Sequence, residues 1–294
     1  MTSPCVIDDS FPARADGDRP AGGGLASRRG VLAGLAALTV SACASPRLPP
    51  PPAPPDDGLA ALGFDGVIDL SHFNRVWDFA AARDAGGIRA IIHKASEGAD
   101  WVDPLYGQRR EAARAAGLLW GAYHFGTAQH PGAEQAQAFL AAAQPGPDTL
   151  LALDLELNER HPANTMDLYR AEDFVQTVLT ATGRLPLVYV RPDWADGLPL
   201  PGWRRSLGGA IRPGSILAEC DLWLADYRAR PTLPLAWQQR GWRLWQYAGD
   251  RPNASSALYQ RAARTIAGIG RCDRNLFPGK AAALPVYWAG NPMS

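Results

Sequence analysis

The amino-acid sequence predicts an α/β fold built on parallel strands, and two observations carry that prediction. From Phe64 onward, short strand-like runs alternate with longer runs of helical spacing, the pattern of repeated strand–helix units. One strand, Leu150 to Leu157, alternates leucines with alanine and acidic residues, which places Asp154 and Glu156 together on the other face, roughly 7 Å apart along the chain. Acidic residues at the carboxyl end of such a strand are typical of a barrel with helices packed outside.

Two strand–helix units open the pattern. The first strand, Gly66 to Leu70, alternates so that Asp69 lies at its carboxyl end, as the acidic pair does in its own strand. Trp77 to Ala85 then has helical spacing, and two glycines stop it. The second strand, Arg89 to Lys94, is followed by a helix from Pro104 to Ala116, which begins with a proline suited to a first turn.

Further units follow, and then the helices largely drop out. The third strand, Leu118 to Phe125, precedes a helix from about Ala133 to Ala143; the acidic strand precedes a helix from Thr165 to Thr182; and the fifth strand is Leu185 to Val190. Shorter strands separated by proline-rich and glycine-rich loops are predicted at Leu222 to Ala225, Arg243 to Tyr247 and Asp273 to Phe277. The prediction is an irregular TIM-like barrel, with about five β/α units followed by three strands with few helices. Its loop-covered third leaves an open groove that suits a polymer substrate.

Composition and absent motifs narrow the function. The chain has 294 residues, of which 47% are hydrophobic and 20% charged, so we expect one large domain with a substantial core. Its formal net charge of +0 gives no electrostatic reason to expect a nucleic-acid partner. The 5 histidines show no paired metal-ligand spacing, and neither a serine-nucleophile elbow nor a phosphate-binding glycine loop occurs. We therefore expect no metal and no cofactor.

Residues 1–43 are predicted to be a disordered segment followed by a twin-arginine-type lipoprotein signal peptide. Glycine, proline, alanine and charged residues dominate through about Gly24, with no hydrophobic period. The pair Arg28 and Arg29 precedes an apolar run, Val31 to Val40, that is too short to span a membrane. The run leads into Ser-Ala-Cys43, which resembles a bacterial lipobox, so Cys43 is the predicted lipidation site. An ordinary signal peptide with an incidental cysteine is the alternative.

A proline-rich linker, residues 44–57, then leads to the domain at residues 58–294. Its proline density predicts an extended, semi-rigid tether. The expected location is the cell envelope, with the exported protein anchored by lipid on a periplasmic or outer face. There Cys220 and Cys272 form either a disulfide or two separate buried thiols, because sequence alone does not place their Cα atoms within bridging distance.

The acidic pair suits one kind of chemistry. Two like charges disfavour each other's ionised form, and burial raises the pKa of a carboxyl group, so one acid can stay protonated near neutral pH while its neighbour is ionised. Glycoside hydrolysis needs that division of labour. Asp-x-Glu also occurs in solvated strands and helix caps, so the tripeptide alone does not decide the function.

Seven short motifs occur in order between about Gly63 and Gly279. They are Gly66 to His72, Lys94 to Gly98, Gly121 to Phe125, Leu153 to Glu156, Leu222 to Tyr227, Trp245 to Tyr247 and Cys272 to Phe277. Together they resemble the motifs of glycoside hydrolase family 25, the N-acetylmuramidase type of lysozyme. The chain departs from the family at His72-Phe73-Asn74, where an aromatic-Gln-Gly run is often seen, and Asp226 occupies a motif position that varies.

The resemblance implies roles for four acidic residues. Glu156 would be the general acid that protonates the glycosidic oxygen between N-acetylmuramic acid and N-acetylglucosamine. Asp154 would orient and stabilise the substrate's own acetamido group as that group attacks the anomeric carbon, a substrate-assisted route. Asp69 and Asp273 match two further acidic positions of the active site, where they would tune charge and hold the sugar or the catalytic pair.

Residues near the predicted strand ends are candidates for binding a sugar chain, because aromatic faces stack on sugar rings and polar tips bond to hydroxyl groups. The aromatic candidates are Tyr123, Tyr189, Trp223, Tyr227 and Tyr247, and each is a core residue in the alternative interpretation. Lys94 and Glu97 are expected to form an ion pair at the mouth, and Gln246 lies within the sixth motif. His124 either donates to the substrate or is hydrogen-bonded within the core.

The leading hypothesis is therefore a monomeric, exported muramidase. Its expected partners are the glycan strands of peptidoglycan and, through lipidated Cys43, a membrane. One rival is a glycan-binding lipoprotein that holds the sugar chain without cutting it, and the presence of all four acidic residues argues against that rival. The other rival is a hydrolase of the same fold that acts on a different polysaccharide.

Overall fold

Eight strands close into a barrel in the computed structural model, which describes residues 58–200, 202, 204–249 and 265–290. The strands are β1 (Phe64–Leu70), β2 (Ala90–Glu97), β4 (Leu119–Phe125), β5 (Leu150–Asp154), β6 (Leu187–Val190), β7 (Leu222–Ala225), β8 (Leu244–Ala248) and β9 (Asp273–Phe277), and the short β3 (Trp101–Val102) pairs with the end of β2. Pairing of β1 with both β2 and β9 closes the barrel. The predicted TIM-like barrel is confirmed. The predicted signal peptide with Cys43 and the linker lie outside the described residues.

One strand runs against the others. Strand β9 is antiparallel to both β1 and β8, whereas the remaining barrel strands pair in parallel. The alternation of side chains along a strand is the same in either direction, so the sequence pattern located β9 without giving its orientation. Antiparallel pairing brings the first residue of β9, Asp273, opposite Asp69 near the carboxyl end of β1.

The helices lie mainly in the first two thirds of the described chain. They are α1 (Leu59–Leu62), α2 (Phe79–Asp84), α3 (Tyr106–Ala115), α4 (Gly132–Ala143), α5 (Leu168–Thr182), α6 (Pro192–Ala195), α7 (Ile216–Glu219) and α8 (Leu284–Trp288). The side chains of Asp78 and Asp167 accept from backbone N–H groups at the starts of α2 and α5, and Gly183 ends α5 at φ 69°. No helix in these residues is long and apolar enough to cross a bilayer.

Strand β5 separates two layers of core, as its alternation predicts. Leu151, Leu153, Leu155 and Leu157 belong to the apolar layer outside the barrel, together with side chains of α4 and α5. Ala152 belongs to the inner cluster that fills the barrel. The strand ends at Asp154, but the N–H of Leu155 still donates to the carbonyl of Tyr189 at 2.9 Å. The alternation therefore continues far enough to turn Glu156 away from the outer layer.

The C-terminal helix α8 closes the amino end of the barrel. Its residues Leu284, Tyr287 and Trp288 share the inner cluster with side chains from the first residues of the strands. The indole Nε1 of Trp288 donates to the carbonyl of Trp120 at 2.8 Å, and the hydroxyl of Tyr287 donates to Asp221 Oδ2 at 3.1 Å. The described part of the segment after Gly279, residues 280–290, matches no predicted motif, and these three side chains make it contribute to the core.

Truncating the buried side chain of Trp288 on α8 is expected to destabilise the protein. Trp288 is 1% exposed, so Trp288→Ala should lower the free energy of unfolding by about 3–5 kcal/mol, because it leaves a cavity and an unpaired carbonyl. Val286 lies on the same helix and is 54% exposed, so Val286→Ala should change stability by no more than about 0.5 kcal/mol. Urea unfolding of the two variants beside the wild type measures both values. Equal effects of the two substitutions would contradict the packing of α8 into the amino end of the barrel.

The two cysteines are not bridged. Cys220 and Cys272 are both buried and are not bonded to each other, so the disulfide alternative is wrong and the alternative of two separate buried cysteines holds. The Cys220 thiol donates to the carbonyl of Ile216 at 3.5 Å, and burial raises its pKa. A thiol is a small apolar group that packs well in a core, so an even number of cysteines does not require a bridge.

Candidate active site

Four acidic side chains meet at the mouth of the barrel where the parallel strands end. Asp69 and Asp273 are directly paired across β1 and β9, Asp154 is the last residue of β5, and Glu156 follows two residues later. All four lie close enough to Tyr123 for their charges to raise the pKa of its hydroxyl, although burial contributes more. The structure therefore brings together the carboxyl groups that the sequence motifs selected.

Asp154 and Glu156 hold their protons to higher pH than ordinary carboxyl groups. Burial, followed by the charge of Glu156, raises the pKa of Asp154 well above its usual value. Burial, followed by the charge of Glu159, raises the pKa of Glu156 to about 7, against an opposing effect of Lys94. Because both carboxyl groups are shifted upward, the pair carries less than two negative charges near neutral pH, and a proton is available for transfer.

The two acids differ in access and in partners. Glu156 is half-buried and lines a cleft of about 730 Å³, whereas Asp154 is only 8% exposed and lies beneath it. Among the described residues, Asp154 Oδ1 has no hydrogen-bond partner. Unpaired buried oxygen atoms are rare, so this oxygen is an acceptor available to a ligand. Glu156 is thus placed to give a proton to a bound molecule, and Asp154 to accept a hydrogen bond from one.

Asp69 is held by two amide groups. Gln246 Nε2 donates to Asp69 Oδ1 at 3.2 Å and to Oδ2 at 3.0 Å, and Asn275 Nδ2 donates to Oδ2 at 2.8 Å. Donors on both carboxylate oxygens stabilise the ionised form. Its negative charge in turn raises the pKa values of Asp154 and Glu156. Sequence analysis missed Asn275. Its position two residues after Asp273 places it on the same face of β9, and this spacing could have identified it as a site residue.

Both amides are oriented by aromatic side chains. The hydroxyls of Tyr189 and Tyr227 donate to Gln246 Oε1 at 2.8 Å and 2.6 Å, and Trp223 Nε1 donates to Asn275 Oδ1 at 2.6 Å. Because each amide oxygen accepts these bonds, its nitrogen must face Asp69. Gln246 was predicted to contact sugar directly. Instead it is 3% exposed, is surrounded by protein groups and positions Asp69.

Three of the predicted sugar-binding aromatics remain near the cleft. Tyr189 and Tyr227 line it, and Tyr123 is half-buried beside the acidic group. Burial, with the surrounding charges, raises the pKa of each of these hydroxyls well above its usual value, so each stays protonated, as the donation of Tyr189 and Tyr227 to Gln246 requires.

Trp223 and Tyr247 are core residues. Trp223 is 2% exposed and packs edge-on against Tyr189 inside the barrel, with ring centroids 4.9 Å apart. Tyr247 is 1% exposed and belongs to the outer layer, beside Trp245. Neighbouring residues of a strand face opposite sides, so Gln246 and Tyr247 cannot both point into the barrel. The prediction that these two aromatics stack on sugar is wrong, and their core alternative holds.

His124 is a core histidine for the same reason. It lies on the outer face of β4, where Ser96 Oγ is 2.9 Å from its Nδ1 and Gln135 Oε1 is 3.2 Å from its Nε2. Its ring stacks on Phe174 at 4.9 Å. Burial lowers its pKa to about 3, so it is neutral at ordinary pH. The predicted contact of His124 with substrate is therefore wrong.

The predicted ion pair at the mouth is present. Lys94 Nζ lies 2.6 Å from Glu97 Oε2, and the ammonium sits over the rings of Phe125 and Trp101 at 4.7 Å and 5.1 Å. These rings and the paired carboxylate stabilise a cation on the cleft wall. Arg191, also on the wall and missed by sequence analysis, lowers the pKa of Glu156, and its Nε has no hydrogen-bond partner among the described residues.

The charges around Glu156 predict opposite effects of two substitutions on its titration. Glu156 should titrate near pH 7. Glu159→Gln removes a repelling charge and should move that titration to lower pH, whereas Arg191→Gln removes an attracting charge and should move it to higher pH. Carbon-13 NMR of the labelled carboxyl carbon measures both shifts. Shifts in the same direction, or none, would contradict this electrostatic account.

Comparison with known proteins shows which proteins the chain is similar to. The chain matches the model of the family described as glycosyl hydrolases family 25 over residues 68–255. It is 27% identical to Lysozyme M1 of Streptomyces globisporus over 298 residues, covering 87% of this chain and 90% of that protein. It is 27% identical to an N,O-diacetylmuramidase of Arthroderma benhamiae, covering 73% and 88%. The solved structure of a muramidase from Acremonium alcalophilum superposes with a TM-score of 0.60 at 29% identity, covering 78% of this chain and 100% of that one.

Proposed function

We propose, because this chain belongs to glycosyl hydrolase family 25, that it cuts the glycan strands of peptidoglycan at the β-1,4 bond between N-acetylmuramic acid and N-acetylglucosamine. The chain is a glycoside hydrolase of the lysozyme type. The observation that carries the finer proposal is the acidic pair: Glu156 on the cleft wall with its pKa raised to about 7, above buried Asp154. The lysozyme and muramidase names of its relatives support the choice of peptidoglycan.

Glu156 is the general acid in this mechanism. It protonates the glycosidic oxygen as the bond to the anomeric carbon breaks, so the leaving sugar departs as a neutral alcohol. A carboxyl group whose pKa is about 7 still holds its proton in a large fraction of molecules at neutral pH. The ionised Asp69, held by Gln246 and Asn275, helps to keep that proton in place.

Asp154 acts through the substrate's acetamido group. The N–H of that group donates to the carboxyl oxygen that lacks a partner in the described residues, and its carbonyl oxygen attacks the anomeric carbon. The reactive form of the pair holds one proton, on Glu156, so that Asp154 is ionised and stabilises the positive charge that develops on the cyclic intermediate. Water then opens the ring on the sugar face that the leaving group has vacated, with deprotonated Glu156 as the base.

Analysis of new reducing ends tests the bond assignment. Full-length wild type and Glu156→Gln are incubated with purified peptidoglycan, and the newly formed ends are reduced and identified. New muramic acid ends from the wild type alone support the proposal. New glucosamine ends would refute the proposed bond. Absence of new ends from both would favour a protein that binds glycan without cutting it, or a different polysaccharide as substrate.

Export and lipid anchoring are proposed from residues 1–57. Cleavage before Cys43 and acylation of that residue would tether the hydrolase through the proline-rich linker, within reach of the wall. Cys43→Ala should move the protein from the membrane fraction to the soluble fraction of the producing cell, detected by immunoblotting. An unchanged membrane fraction would refute the anchor and leave the hydrolase assignment intact.

A further inference from the structure

A second depression adjoins the catalytic cleft. Its volume is about 370 Å³, and it is lined by Phe73, Asn74, Arg75, Trp77, Ile269, Gly270 and Arg271. Phe73 also lines the cleft that holds Glu156, so the two spaces meet at that ring. The depression therefore extends the concave surface of the catalytic cleft beyond Phe73.

Two exposed aromatic rings mark the path. Phe73 is 67% exposed and Trp77 is 65% exposed. Large rings at a protein surface are costly to leave in water, and tryptophan and tyrosine are typical of surfaces that bind rings of partly polar ligands. One edge of the Trp77 ring lies against Gly270, where an added Cβ atom would stand 3.7 Å from the ring. The indole is therefore close to the backbone of Gly270 on that edge, and most of its remaining surface is exposed.

The backbone that carries these rings is held at both ends. Arg109 donates to the carbonyls of Ser71 at 2.8 Å and Asn74 at 2.6 Å. The N–H groups of Trp77 and Asp78 both donate to the carbonyl of Gly268, at 2.9 Å and 3.0 Å.

Gly268 makes the second of these connections possible. It has φ of +76°, and a Cβ there would be 1.8 Å from the carbonyl oxygen of Asp78, so only glycine fits. A surface that is already ordered loses little entropy when it binds.

Two arginines give the depression a positive charge. Arg75 and Arg271 are both exposed and line it. Within the described part of the chain, neither guanidinium group has a hydrogen bond or an ion pair with another side chain. Guanidinium groups bind carboxylates through paired N–H donors. The depression thus combines a flat aromatic face for a sugar ring with donors for acidic groups attached to it.

We propose that this depression is a remote subsite for the uncut part of the glycan strand, in which Trp77 stacks on a sugar ring and Arg75 and Arg271 bind carboxylates of that strand. The inference rests on the proposed function and extends it, because it assigns to the enzyme a preference for long, acidic strands over short or neutral ones. Carboxylates of the lactyl groups and of the attached peptides share this chemistry.

Binding to strands of two lengths tests the subsite without turnover. Full-length Glu156→Gln is compared with Glu156→Gln/Trp77→Ala on long soluble glycan strands and on a fragment short enough to fill only the catalytic cleft. Loss of stacking should raise the Kd for long strands about three- to tenfold and leave the Kd for the fragment unchanged. Tyr169 is 78% exposed on α5, and Glu156→Gln/Tyr169→Ala is the matched control that should bind as the parent does. Equal binding of the long strand by the Trp77 variant, or an equal loss on both lengths, would overturn the subsite.

Salt dependence tests the arginines. Added salt should weaken binding of long strands by the parent, and Glu156→Gln/Arg75→Gln/Arg271→Gln should bind less tightly with a smaller salt dependence. An unchanged salt dependence would refute the binding of carboxylates by Arg75 and Arg271. Strands that carry a peptide on every lactyl group have no free lactyl carboxylate and so distinguish the two sources. A full arginine effect on such strands indicates the peptide carboxylates, and an effect that appears only after an amidase has freed the lactyl carboxylates indicates the lactyl groups.

The outcome for the subsite is separable from that for the enzyme. Wild type that leaves peptidoglycan uncut would refute the proposed function. If the wild type cuts peptidoglycan but Trp77→Ala leaves the binding of long strands unchanged, only the subsite is refuted.

Discussion

Glu156→Gln is expected to lower kcat on peptidoglycan by about 10³–10⁴-fold, at the upper end of what general acid catalysis contributes. Glutamine has nearly the volume of glutamate but no proton to give, so the leaving sugar would have to depart as an alkoxide. Because the acid acts in the transition state, kcat and kcat/KM should fall together. Steady-state release of soluble fragments at slightly acidic pH, where the wild-type acid is protonated, measures the loss.

Two controls show whether that loss is chemical. The unfolding midpoint of Glu156→Gln should match the wild type, since the substitution removes a carboxyl group that burial already disfavours in its charged form. Glu111→Gln makes the same chemical change on the exposed surface of α3 and should leave kcat unchanged. Glu156→Gln with near wild-type turnover would refute the assignment of the acid.

Asp154→Asn is expected to cause a smaller but still large loss, about 10²-fold in kcat. Asparagine keeps the size of the side chain, but it removes the negative charge that stabilises the cyclic intermediate. Its stability should be at least that of the wild type, because a buried carboxyl group with a strongly raised pKa is replaced by a neutral one. Kinetics and urea unfolding on the same preparation measure both quantities.

A modified substrate shows whether Asp154 works through the acetamido group. Trifluoroacetamido groups in place of acetamido groups weaken the attacking carbonyl, so the wild type should slow on such strands. The same change of substrate should slow Asp154→Asn much less than it slows the wild type, because two changes to one interaction are not additive. Fully additive losses would indicate that Asp154 acts on another part of the reaction and would refute the substrate-assisted step.

Alternation along a strand located the reacting groups from sequence. The leucines of β5 occupy the outer layer and Asp154 points inward, as predicted, because the side chains of a strand must face opposite sides in turn. The same rule excludes His124 beside Tyr123 and Tyr247 beside Gln246. Both errors came from selecting residues near the strand ends without regard to the face on which each one lies. Trp223 has the correct parity and fails for another reason, since it sits too deep in the barrel to reach a ligand.

Sequence by itself determined the barrel, the order of its units and the acidic residues at its mouth, because strand and helix periods are local properties of the chain. Tertiary structure alone decided the rest. It turned β9 antiparallel, which pairs Asp273 with Asp69, and it brought Gln246 and Asn275 onto Asp69 from 177 and 206 residues away. It also folded α8 into the amino end of the barrel. Contacts over such separations depend on how the layers close, and no local period encodes that closure.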